Sequence, residues 1–191
     1  MVRTLPPPMI PESYSQALGD ADPIESQRKA PKRVRKLIKG LSKKQLAKRP
    51  GEGKWSIKEV LAHLADGEFV IGTRLRYVAA MDRPVIVGYD QDAFIANLRY
   101  DELDADDLLD AFANLRAINV ALVERLPDEA FARIGLHNER GEESLSTMLH
   151  RNAGHDRIHE QQIARTREAI TNGHGKHKKH GKHKGGKHKR K

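Results

Sequence analysis

Three observations predict an all-α protein built as a four-helix bundle. Four stretches carry apolar residues at three- and four-residue spacing, each is bounded by helix-capping or helix-breaking residues, and no stretch alternates with the period of a strand. Connections of differing length suggest an up-down-up-down arrangement, followed by a disordered Lys/His-rich tail.

Residues 1–22 are rich in proline and small polar side chains, and are expected to wrap the surface or stay mobile as an N-terminal extension. The bundle is expected over residues 23–171. Its first helix spans Pro23 to Ala47, with Val34, Leu37, Ile38, Leu41 and Leu46 inward. Pro31 either kinks this helix or sits in its first turn. Arg49-Pro50-Gly51-Glu52-Gly53 breaks it. The second helix opens on a capping box, Ser56 with Glu59, in which each side chain satisfies the other's free backbone donor. Trp55 and Val60 stand at the staple positions around that cap. Ile57, Val60, Leu61, Leu64, Ile71, Leu75 and Val78 then repeat at helical spacing to about Met81, and Pro84 ends the run. Residues 83–105 read as a long connection with a helical turn around Ala93 to Leu98, and a loop of that length in a compact domain is often functional. The third helix runs from about Asp106 to Leu126 and carries Leu108, Phe112, Leu115 and Leu122; Pro127 stops it. The fourth runs from about Ser144 to Ile170, with Leu145, Met148, Leu149, Ile163 and Ile170 on one stripe and Asn172-Gly173 closing it.

The formal charge of +9 is not spread over the chain. Nine of the 35 Lys and Arg residues lie in residues 172–191, which hold no acid, so 26 bases face 26 acids in residues 1–171. The bundle is therefore electrically balanced, and the basic first helix, Arg28 to Lys39, reads as a solvated face. The tail has nothing apolar with which to form a core. Its lysines suit non-specific, salt-sensitive binding to nucleic acid, and its five histidines suit loose metal binding. The absence of cysteine excludes a disulfide framework and thiolate ligands, and fits a cytoplasmic protein. No apolar run approaches the roughly 18 residues of a membrane span. The opening MVRTLPPPMIPESY lacks the apolar stretch of a secretory signal.

Function concentrates on three histidines. His155 and His159 stand at i and i+4, which projects two imidazoles from one helical face, and His63 lies at the margin of the second helix's apolar stripe. All three can look into the bundle, where they would hold a metal ion with open positions. Asn152, Gln162 and Glu68 sit near the same faces and must find partners there. Other chemistries fit less well. His159-Glu160 begins an H-E-x-x-H zinc-protease motif, but Ile163 occupies the second histidine's place. His155-Asp156-Arg157-Ile158-His159 has the histidine spacing with the shorter carboxylate, which does not make Asp156 a general base. No G-x-S-x-G elbow is present. Arg74 and Arg116 are candidate anchors for an anionic substrate.

Several ordered motifs carry a family resemblance. Lys54-Trp55-Ser56-Ile57-Lys58-Glu59-Val60-Leu61-Ala62-His63-Leu64-Ala65-Asp66 resembles the W-[ST]-x-x-[EQ]-x-x-x-H-[LI]-x-D segment of the DinB-like superfamily, closest to its YfiT-type branch of metal-dependent hydrolases and bacillithiol transferases. That branch continues with a proline-containing loop ending in Tyr-Asp, matched by Pro84 to Asp90. An H-x-E-x-G-x-x-[ST]-L stretch follows, matched by His137 to Leu145, and then H-x-x-H-H-x-x-H-I, against which His155 to Ile163 aligns. The resemblance covers about Pro23 to Ile170. It implies a four-helix bundle, a divalent metal held by His63, His155 and His159, and a homodimer. Ile158 and Gln162 replace two histidines of the last motif, and Ala153-Gly154 is small where the branch is often aromatic.

Such a site would serve a metal-dependent enzyme acting on a small molecule, of hydrolase or thiol S-transferase type. Zinc is the default ion, with nickel or iron as alternatives. With no cysteine in the chain, a transferred thiol would belong to a low-molecular-weight cosubstrate. The alternative from a different class is a non-catalytic bundle whose polar stripe is structural and whose tail binds nucleic acid or metal.

Overall fold

Helices begin and end where the sequence supplies caps and breakers. The computed structural model describes residues 9–172; the Lys/His-rich tail and what is expected of it lie outside the described residues. A short helix α1, Glu12–Leu18, precedes α2, Pro23–Ile38, whose N-cap Asp22 accepts from the Glu25 amide. The first predicted helix is in fact two. Gly40, at φ 81°, turns the chain after α2, and a separate capping box at Ser42 and Gln45 opens the one-turn helix α3, Lys43–Leu46. The predicted Ser56–Glu59 box starts α4, Ile57–Ala80. A short α5, Gln91–Asn97, a 3₁₀ turn at Tyr100–Glu102, then α6, Ala105–Val123, a second 3₁₀ turn at Asp128–Ala132, and α7, Leu145–Asn172, complete the helices.

Pro31 lies inside α2. Its missing N–H orphans the carbonyl four residues back, at Gln27. Arg116 Nη1 from α6 donates to that carbonyl at 2.9 Å. A local defect in one helix thus becomes a tertiary contact with another.

Three short strands depart from the sequence expectation. β1, Val85–Ile86, pairs in parallel with β2, Ile134–His137, and β2 pairs antiparallel with β3, Gly141–Ser144. Segments of two to four residues show too few alternations for a period-2 signal, and the parallel pair joins residues about fifty positions apart. Leu136 N donates to Pro84 O and Asn138 N to Ile86 O, which fastens the hairpin to the end of α4.

The four long helices make the expected bundle, in a less simple order than alternation. One apolar cluster joins the starts of α2 and α7 to the ends of α4 and α6, through Ile24, Met148, Val78 and Val123. The other joins the opposite ends, through Val34, Ile163, Leu61 and Leu108. So α2 and α7 run one way, α4 and α6 the other. Helix α2 packs on α6 and α7, as does α4, which leaves consecutive α2 and α4 across the diagonal. The connection over residues 81–104 permits this. It travels back along α4, about 36 Å long at 1.5 Å per residue, before α6 begins at the far end. Among the described residues no helix is long and apolar enough to cross a membrane.

Candidate metal centre

The Ser56 cap sets where α4 starts, and so places His63 on its second turn facing α7. Ser56 N donates to Glu59 Oε2 at 2.7 Å and Glu59 N to Ser56 Oγ at 3.2 Å. Across the gap, α7 presents His155 and His159 from consecutive turns. His63 Nε2 lies 2.9 Å from His155 Nε2, which lies 3.0 Å from His159 Nε2. All three ligand-capable nitrogens lie within 4.8 Å of one another, so the group can hold a metal ion. Ligands at about 2.0–2.1 Å from a tetrahedral zinc stand about 3.3 Å apart, so little rearrangement separates this geometry from a coordinated one.

The surroundings favour neutral imidazoles. His63 is 3% exposed, with the Trp55 ring centroid 5.1 Å away. Burial, reinforced by repulsion from His159, pushes the His63 pKa down to about 3. Burial likewise holds His155 well below its ordinary value, with His159, His63 and Arg116 adding repulsion. His159 is lowered by burial, partly offset by its hydrogen bond to Gln162. That bond joins His159 Nδ1 to Gln162 Oε1 at 2.8 Å. With the amide oxygen accepting, Nδ1 carries the proton and Nε2 keeps its lone pair toward the other histidines. Gln162 thereby fixes the orientation of the His159 ring.

A pH dependence follows for the metal-free protein. In the unfolded chain these imidazoles protonate near 6.5, whereas in the folded state they resist protonation. The unfolded state then binds more protons, so stability rises with pH below 6.5; for His63 the window runs from about 3 to 6.5, by up to about 1.4 kcal/mol per pH unit. Asp156, raised to about 6 by burial, works in the opposite sense between its ordinary value and 6. Asp66, also raised by burial, acts with Asp156, while His137, Glu59 and Glu143, all lowered, act with the three histidines and carry the balance. Denaturant midpoints measured from pH 4 to 7 should increase; a flat or falling profile would show that the cluster is not buried as neutral rings.

The remaining polar residues of the predicted stripe form a separate network. Arg116 is 2% exposed and donates to Glu68 Oε2 at 2.7 Å and to Asp156 Oδ2 at 2.6 Å. Asn119 Nδ2 donates to Glu68 Oε1 at 2.9 Å, and Asn152 Nδ2 to Gln27 Oε1 at 2.8 Å. Arg116 is thus no substrate anchor, because its charge is enclosed and neutralised by two carboxylates. Asp156 is held in that ion pair and turned from any base role. Asp66, which ends the α4 motif, accepts from Tyr100 Oη at 2.5 Å and ties the long connection to α4.

A cavity of about 220 Å³ opens beside His63 and His155. Helices α4 and α7 form its sides; Tyr89 from the long connection and Glu139, Arg140 and Glu143 from the hairpin cover it. Arg74, unlike Arg116, lines this space. Tyr14, also on the wall, comes from α1 and meets the His155 ring edge-on at 6.2 Å. It reaches that position because residue 154 is glycine. A Cβ there would stand 2.5 Å from Tyr14 O and 2.7 Å from Tyr14 Cβ. Gly154→Ala should lift α1 from α7 at a cost of about 1–3 kcal/mol, as overpacking does. Faster proteolysis ahead of α2 with unchanged helix content is the expected result, and an unchanged cleavage rate would contradict it.

The sequence did not single out Tyr14 or Arg151 for the site. Tyr89, Arg140 and Glu143 stand within the matched motifs, Pro84 to Asp90 and His137 to Leu145, but no role was assigned to them there. His137, from the motif that the hairpin carries, lies outside the histidine cluster. Its Nδ1 accepts from Glu139 N at 3.2 Å, and its Nε2 is buried without a partner.

Comparison with known proteins places this bundle. The family model described as the DinB superfamily matches residues 28–163. The chain belongs to the DinB superfamily. A relative from Oceanobacillus iheyensis named "Putative metal-dependent hydrolase OB0413" is 24% identical over 143 residues, covering 75% of this chain and 80% of its own. A Bacillus cereus protein of the same description is 27% identical over 140 residues, covering 73% and 80%. The solved structure of YfiT from Bacillus subtilis, described as having "an unusual four-helix bundle topology", superposes with a TM-score of 0.69 at 20% identity, over 85% of this chain and 93% of that one. The match to the DinB superfamily begins within α2, so α1 and Tyr14 lie ahead of it.

Proposed function

We propose that the chain is a metal-dependent hydrolase of a small molecule, with His63, His155 and His159 holding one divalent ion. The observation that carries this is the convergence of three imidazole Nε2 atoms beside a cavity large enough for a small substrate. The donor set fits the group: three imidazole nitrogens within 4.8 Å of one another and no thiolate, with His63 and His155 on the cavity wall. Zinc is the first choice for such a set, and nickel and ferrous iron accept it as well. When bound, the ion supplies Lewis acidity and activates water near neutral pH. The chain's own residues prepare the place. Burial keeps the imidazoles unprotonated at neutral pH, Gln162 fixes the His159 tautomer, and Trp55 and Tyr14 shield the rings from bulk water.

A second reading, thiol S-transfer, shares the site. It is favoured by the cavity beside the cluster, where a bound ion would lower a thiol's pKa, and in a chain without cysteine the thiol arrives with a low-molecular-weight cosubstrate. Metal content after dialysis tests both readings. The full chain and a chain ending at Asn172 should each retain one ion, and His63→Ala should lose it. Metal that vanishes with the tail would instead support a non-catalytic bundle with a metal-binding extension. Ester, amide and thiol-conjugation screens on the loaded protein then separate hydrolysis from transfer.

A further inference from the structure

We propose that the cavity is a carboxylate-recognition site, in which Arg74 receives the anionic end of a small substrate whose reacting end lies at the histidine cluster. This rests on the metal reading above for what lies at the histidine end, and on the cavity wall for the rest.

The wall carries more positive charge than it neutralises. Arg140 and Arg151 both pair with Glu143, each at 2.9 Å. Burial alone would raise the Glu143 carboxyl, but these two guanidinium groups hold it below its ordinary value. Arg74 has no carboxylate partner among the described residues. Its Nη2 donates to Val87 O at 2.6 Å, and its Nε is buried with no partner. Burial and the neighbouring Arg140 both disfavour its charge. Three arginines thus stand against Glu139 and Glu143, one cation in surplus. Of the four buried side-chain atoms left without a partner in the described residues, three belong to Arg74, Arg151 and His137, on or beside this wall. A half-buried cation without a counterion is costly, and a bound anion removes that cost.

Geometry sets the kind of anion. His63, Gly67, Ile71 and Arg74 repeat at helical spacing along one face of α4, so the Arg74 backbone stands about 16 Å from that of His63. Helical side chains lean toward the N-terminus, which brings the guanidinium back toward the histidines. Gly67 lies between them, and the Tyr89 hydroxyl stands over it, 3.7 Å from where a Cβ would be, so a ligand joining the two ends passes beside Tyr89. A ligand reaching both ends is a chain of several atoms, and at the Arg74 end a single surplus charge suits one carboxylate, with the ligand's other end at the ion. A carboxylate meets this; a phosphate dianion would leave negative charge in excess.

Calorimetric titration of the metal-loaded full chain with linear dicarboxylates from malonate to adipate tests the proposal, with acetate and methyl phosphate as further probes. One dicarboxylate length should bind saturably. Arg74→Gln should weaken it tenfold or more, and Arg74→Lys should recover part of the loss, with metal content unchanged in both. Equal binding by wild type and Arg74→Gln, or no dicarboxylate binding at all, overturns the proposal. Arg74-dependent binding of methyl phosphate in place of the dicarboxylates overturns the choice of carboxylate. The two readings fail separately. Arg74-dependent binding by protein that retains no ion removes the metal reading alone, and retained ion without Arg74 dependence removes this one alone.

Discussion

Arg116→Met is expected to destabilise the bundle by about 3–5 kcal/mol, the cost of leaving a buried ion without its partner. The guanidinium joins Glu68 and Asp156, whose side chains are 1% and 2% exposed, and it caps the carbonyl that Pro31 leaves free. Removing it sets two buried carboxylates against each other and orphans the Gln27 oxygen. Against a net stability of about 5–15 kcal/mol for a domain of ordinary size, this is the largest single-residue effect we expect on folding. Denaturant melts at pH 7 measure it directly. The loss should shrink at pH 5, because protonating one carboxyl relieves the repulsion, and it should shrink again when Glu68→Gln and Asp156→Asn accompany the change. A cost below 1 kcal/mol would show that the network carries little of the stability.

The second large effect is on ligand-linked stability. On the proposed metal reading, His155→Ala removes the central member of the cluster, the one whose Nε2 lies within 3.0 Å of both others. Wild type at a metal concentration 100 times its dissociation constant gains about 2.7 kcal/mol, and at 1,000 times about 4.1 kcal/mol. His155→Ala should lose that gain. At pH 5 its metal-free form should melt no lower than metal-free wild type, since one imidazole that the fold keeps from protonating is gone. This opposite pattern separates a functional cluster from a structural one. If the three rings were merely core residues, the variant would be less stable with or without metal.

Much of the bundle was legible in the sequence because local chemistry decides it. The Ser56–Glu59 cap, the apolar repeat from Ile57 to Val78, and the stop at Pro84 act within a few residues of one another, and α4 follows them closely. The histidine faces were legible for the same reason, since helical periodicity brings His155 and His159 to one side. Other features were not. Arg74 and Arg116 look alike as helix arginines, yet one is enclosed between carboxylates and the other borders a cavity. Only the packing of α6 against α2 and α7 makes that difference. The strands, α1 over Gly154, and Tyr14 beside His155 depend on contacts between segments far apart in the chain, for which no local pattern codes.

The sequence by itself determined the helical class, the caps that set helix phase, and the three histidines, because these follow from hydrogen bonds and periodicities spanning four to seven residues. Tertiary structure alone decided the direction of the four helices, the short sheet that covers the cavity, and which polar side chains are spent on each other. The physical reason is that direction is set by how far a connection must travel. Whether a charge is available depends on which partners burial brings within hydrogen-bonding distance.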